Sequence, residues 1–120
     1  LVVSKTPEIW ELWEIDNDTM DTNGTSLKGI TTKAITIHQA HEIFGQDKAV
    51  YPDEKVACEW TIRFLKDGKV ATIYAMNYQL GLKRIPFHIG GHSKNVVWRV
   101  NKIIRKWFND NGIKANNSLL

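Results

Sequence analysis

Residues 57–65, ACEWTIRFL, then Asp67-Gly68 and residues 69–75, KVATIYA, decide the fold. Cys58, Trp60, Ile62 and Phe64 alternate with Glu59, Thr61 and Arg63, the period-two pattern of a strand with one buried face. Lys66-Asp67-Gly68-Lys69 carries turn chemistry, and β character resumes after it, so residues 57–75 are expected to form a β-hairpin. Working outward towards the C-terminus, residues 77–84 read as a loop and residues 86–89 as a short third strand. Residues 93–109 predict an amphipathic helix. Val96, Val100, Ile103 and Trp107 form one stripe, widened by Val97, Ile104 and Phe108. Residues 110–120 are polar, the composition of a frayed tail.

Towards the N-terminus the chain breaks at Pro52-Asp53. Residues 32–44 place Ile37, Ala40 and Phe44 at helical spacing before Gly45, a left-handed stop, and predict a shorter helix. Residues 16–26 form a polar turn region centred on Asn23-Gly24. Residues 8–15, EIWELWEI, are ambiguous. Thr6-Pro7-Glu8 opens like a helix, whereas the Trp-rich run with β-branched ends favours a strand, the preferred reading. The expected fold is one α+β domain over residues 1–120, a small antiparallel sheet covered on one face by the C-terminal helix.

The 120 residues carry 42% hydrophobic and 24% charged side chains, the make-up of a single soluble globular domain. That balance excludes collagen-like, disordered and disulfide-stapled classes. The lone Cys58 cannot form an internal disulfide, which fits a reducing, cytoplasmic setting, and it lies on the inward face of the strand as a core residue. No apolar run approaches the ~20 residues of a membrane span, and LVVSKTPE is not a signal peptide. The Asn-X-Ser/Thr tripeptides at Asn17, Asn23 and Asn116 are read as chance occurrences.

The net charge of +3 conceals a division along the chain. Residues 1–60 hold eleven acids and five bases, whereas residues 61–120 hold two acids, Asp67 and Asp110, and eleven bases. The eight cations from Lys69 to Lys106 have no acid among them, a distribution suited to an anionic partner.

Four constellations bear chemistry. In residues 88–94, HIGGHSK, the pair Gly90-Gly91 lets backbone approach a ligand, Ser93 caps the helix, and His88, His92 and Lys94 add donors, together an anion site at a helix N-terminus. The alternative is a tight strand-to-helix turn with an ordinary cap. The spacing is not that of a Walker motif. Secondly, Lys83, Arg84, Lys94, Arg99, Lys102, Arg105 and Lys106 are candidates to neutralise phosphates. Arg99, Lys102 and Lys106 fall on one line, and Tyr78, Phe87 or Trp98 are candidates to stack on bases. Thirdly, His38/His41 and His88/His92 form two pairs, but without cysteine pairs or an HExxH pattern no metal site is expected. Residues 16–23 do not fit a calcium loop. Finally, Ser93 beside His92 seldom gives nucleophile–base geometry, and no paired carboxylates are placed for acid–base work. No cofactor is expected.

Glu59-Trp60-Thr61-Ile62-Arg63-Phe64, Asp67-Gly68, Val70-Ala71-Thr72-Ile73-Tyr74 and His88-Ile89-Gly90-Gly91-His92-Ser93 resemble a group of small proteins of bacteriophages and large DNA viruses. Their recurring pattern is EW-x-I-x-F, a DG turn, VATIY, then IGG before a helix. The resemblance covers roughly residues 43–105 and implies a viral accessory setting but no activity. Ala75-Met76-Asn77 departs from the acidic, aromatic turn of that group.

The sequence therefore points first to non-enzymatic binding of a phosphate-bearing ligand, above all nucleic acid. The alternatives are an interaction or inhibitor (anti-defence) module that grips an acidic host protein, with Trp10, Trp13 or Trp98 as anchors, or captures a nucleotide signal; a homo-oligomer pairing acidic with basic halves; and a small hydrolase or nuclease using His88 and His92.

Overall fold

The computed structural model describes residues 13–15, 22, 24–48 and 55–112. The helix-like opening at residues 6–8, Trp10, the three Asn-X-Ser/Thr sites, Pro52-Asp53 and residues 113–120 lie outside them. Among the described residues five strands form one antiparallel sheet. They are β1 (Trp13–Ile15), β2 (Ser26–Ile30), β3 (Val56–Phe64), β4 (Val70–Met76) and β5 (His88–Gly91), in the order β1-β3-β4-β5-β2. Two helices, α1 (Ile37–Phe44) and α2 (Asn95–Asn111), accompany the sheet, an α+β architecture.

The hairpin is β3–β4, with Trp60 opposite Ile73 and Thr61 opposite Thr72. Gly68 adopts φ +72°, and its N–H donates to the Phe64 carbonyl at 2.8 Å, closing the turn. The inward residues Cys58, Trp60, Ile62, Phe64, Ala71, Ile73 and Ala75 are all buried, as alternation requires. Against them pack Ala40 and Phe44 from α1, and Val96, Val100, Ile104 and Phe108 from α2. That i, i+4 series is the deepest line of α2, whereas Ile103 and Trp107 are only partly buried beside it. Trp60 is the hub. Its ring meets Phe44, Phe87 and His41, and its indole N–H donates to the Gly45 carbonyl at 2.8 Å, tying the end of α1 to the sheet.

Several boundaries differ from those the pattern suggests. The first helix begins at Ile37 rather than at residue 32. Thr36 forms a capping box with Gln39, and Ile35 just before it bridges Ile85 in extended backbone. The third strand starts at His88 and runs on through the glycine pair. Residues 77–84 contain a 3-10 turn, Asn77–Gly81. Within residues 8–15, Trp13–Ile15 is the strand β1, paired with Phe64–Ile62 of β3. The strand β2 has no counterpart in the sequence reading. Ser26–Ile30 is short, contains Lys28 and Gly29, and shifts register between Leu27 and Gly29, which erases period-two alternation.

Candidate functional site

The glycine pair is not a phosphate-cradling turn. Gly90 and Gly91 are buried in β5, flanked by β4 on one side and β2 on the other, so their backbone groups belong to the sheet ladders. Their lack of Cβ serves packing: a Cβ on Gly91 would meet Val96 Cγ2 at 2.7 Å, and one on Gly90 would meet Thr72 Oγ1 at 2.5 Å. Close approach of α2 to the sheet, rather than of a ligand to backbone, explains Gly91. The first residue of α2 is Asn95, with Lys94 in the cap position. Ser93 Oγ accepts from the Asn95 N–H at 3.1 Å, which uses one of the donors an anion would need.

Arg99 also leaves the basic line. Arg99 lies seven residues before Lys106, about 20° away round the helix at ~100° per residue, but its turn of α2 meets Asp67 and Phe64 of the hairpin. Its side chain is 7% exposed, lies over the Phe64 ring at 5.0 Å, and donates through both terminal nitrogens to Asp67 at 2.9 and 2.6 Å. The guanidinium holds the Asp67 carboxyl down at about 2. This cation fastens the hairpin turn to the last helix and is not offered to phosphate. Phe87 is 0% exposed and cannot stack on a base.

What remains on the crest of α2 is Trp98, Lys102, Arg105 and Lys106, with Lys94 just ahead. Trp98 is 51% exposed. Lys102 Nζ lies 5.6 Å from the centre of its ring, and Lys106 approaches Asp110 at 3.8 Å. From Lys94 to Lys106 the line is about 18 Å long at ~1.5 Å rise per residue. Lys83 and Arg84 lie in the loop before β5, Lys83 exposed and Arg84 with a buried Nε that has no hydrogen-bond partner.

The histidines are dispersed. His38 pairs with Glu42 and His41 with Asp47 around α1. His88 opens β5, whereas His92 lies beyond its end. The exposed His92 ring lies beside Gly24. Among the described residues no three His, Cys, Asp or Glu side chains converge. Cys58 is buried, and its thiol is pushed up to about 11 by burial and by the Asp47 carboxylate.

The face of the sheet turned away from the helices carries a second set of side chains. Glu59, Tyr74 and His88 stand side by side across β3, β4 and β5. Tyr74 and His88 stack at 5.2 Å with rings 13° from parallel, and His88 Nδ1 is buried without a hydrogen-bond partner. Burial, the Glu59 carboxylate and then Tyr78 push the Tyr74 phenol above its ordinary value. The next row is Thr61, Thr72 and Gly90. An open cleft of about 340 Å³ runs over this region. No motif marks it, because no one segment contains it. Its sequence signal is the polar half of the hairpin alternation, Glu59 and Thr61.

Comparison with protein-family models, curated proteins and solved structures finds no match for this chain. Among the described residues no helix is long and apolar enough to cross a membrane.

Proposed function

We propose that the chain binds nucleic acid through the crest of α2. The observation that carries this reading is Trp98, a large aromatic side chain half exposed in the middle of the cationic line Lys94, Lys102, Arg105 and Lys106. An exposed indole among cations is the pairing that single-stranded nucleic acid uses, with base stacking for the ring and phosphate neutralisation for the charges. The line of about 18 Å matches roughly five nucleotides at ~3.4 Å each. Neither Arg99 nor the glycine pair belongs to this site.

Four phosphate contacts imply a slope of log affinity against log salt of about −3 on single strands. Binding then weakens roughly 50-fold between about 50 and 200 mM salt. Anisotropy titration of a labelled oligonucleotide measures this directly. Trp98→Ala is expected to cost about 1–3 kcal/mol of binding, the worth of one stacked base. No binding of single- or double-stranded DNA or RNA at low salt refutes the proposal.

A second reading keeps the same residues. Trp98 is also the kind of aromatic anchor that fixes a protein partner, and the cations around it suit an acidic one, such as a host protein. Retention of an acidic protein by the crest, with no affinity for oligonucleotides, favours that reading.

A further inference from the structure

The cleft on the open face of the sheet has a chemistry unlike that of α2, which lies on the other side. Its polar wall consists of the Glu59 carboxylate, the Tyr74 phenol and the side chains of Thr22, Thr25, Ser26 and Thr72. Leu27, Val56 and Met76 supply apolar surface along it. Among the described residues that line it there is no lysine, arginine or histidine.

We propose that this cleft binds a small uncharged ring bearing vicinal hydroxyls. A carboxylate only accepts hydrogen bonds, and its two oxygens match two adjacent hydroxyl donors. Threonine and serine hydroxyls both donate and accept, so they suit a ligand whose polar groups are themselves hydroxyls. The aliphatic side chains and the Tyr74 ring complement the C–H surfaces of such a ring. Lys48 Nζ, 3.7 Å from Glu59 Oε2, restrains the carboxylate before any ligand arrives. Gly90 contributes a floor without a side chain, where a Cβ would press on the Thr72 hydroxyl.

The volume of about 340 Å³ falls near the lower end of small-molecule sites, about 300–1,000 Å³. That suits one sugar ring or one nucleoside rather than a polymer. The Glu59 carboxylate in its wall disfavours a phosphorylated ligand. The cleft is therefore independent of the α2 interface.

The shared chemistry, a vicinal diol on a ring, has two sources, free saccharides and the ribose of nucleosides. Amide-resolved NMR titration of the whole chain distinguishes them, with methyl glucoside in one arm and adenosine beside 2′-deoxyadenosine in the other. Saturable shifts at Glu59, Thr72, Tyr74 and Gly90 with methyl glucoside, or with adenosine but not its deoxy analogue, support the proposal. The expected Kd is about 1 mM or below, the range open to a small ligand in an open cleft. Glu59→Gln is expected to weaken binding at least about tenfold, the loss of one charge-assisted contact. Thr72→Val, close in shape, tests the same wall should Glu59→Gln fail to fold. The proposal is overturned by an absence of shifts in both arms, by adenosine and 2′-deoxyadenosine binding equally while methyl glucoside does not, or by undiminished binding in the folded variants.

Discussion

Replacing Asp67 by asparagine isolates the ion pair that joins the hairpin turn to the last helix. The amide is nearly isosteric with the carboxylate, and its oxygen can accept from the Lys69 N–H as Asp67 Oδ1 does at 3.2 Å, so the turn itself is spared. What is lost is the charge facing Arg99. Breaking a fully buried pair costs about 3–5 kcal/mol, and an exposed one contributes about 0–1 kcal/mol. Here the Arg99 side chain is 7% exposed and that of Asp67 30% exposed, so solvent screens one partner only. A cost of about 2–3 kcal/mol follows, discounted from the buried limit. For a chain of this length that lowers Tm by about 8–12 °C.

The pH dependence has a definite sign. Asp67 titrates at about 2 in the folded chain, against an ordinary value of 3.8. The unfolded chain therefore binds the proton first. The stabilisation is complete above the ordinary carboxylate range and is lost as pH falls through about 2. Thermal melts of parent and Asp67→Asn should differ most near neutral pH and converge towards pH 2. Asp110→Asn is the control. Its partner Lys106 is 3.8 Å away and both side chains are well exposed, so Tm should scarcely move. If Asp67→Asn melts within about 2 °C of the parent at neutral pH, the pair does not anchor α2 as argued.

Gly91→Ala is expected to destabilise the fold by about 1–3 kcal/mol, since the new methyl meets Val96 Cγ2 and the Val70 carbonyl oxygen; chemical denaturation measures it. Thr36→Ala removes half of the capping box of α1 and should cost about 1 kcal/mol in the same assay. Cys58, buried and with its pKa pushed up to about 11, should react with a thiol reagent at mildly alkaline pH only after denaturant is added; rapid labelling of the native chain would contradict its placement. Lys102→Ala should reduce the salt slope of nucleic-acid binding by about 0.7 on single strands, where a merely structural lysine would leave it unchanged.

The hairpin and α2 were legible because each buries one face against the same core, which writes periods of two and of about 3.6 into residues 57–75 and 93–109. The strand β2 was not legible, because its register shift at Leu27/Gly29 removes the period. Gly90-Gly91 misled for a physical reason. A glycine required by a neighbouring side chain and one required by a ligand look alike in sequence, and only the proximity of Val96 and Thr72 tells them apart. Arg99 misled likewise, because helical spacing does not tell which turn of α2 passes a carboxylate of the hairpin, here Asp67. The cleft combines residues from four strands and the segment before β2, a set brought together by register alone.

The strand order has a consequence for assembly of the chain. The β3–β4 hairpin closes over a short local turn and can form early, whereas β2 pairs, among the described strands, only with β5, some sixty residues further along. During synthesis β2 waits for that pairing until residues 88–91 have emerged, and only then can α2 lay Val97 against Gly29. A chain cut short before β5 therefore loses an early strand as well as a late one, and the Thr72 row of the open face loses its Gly90 neighbour.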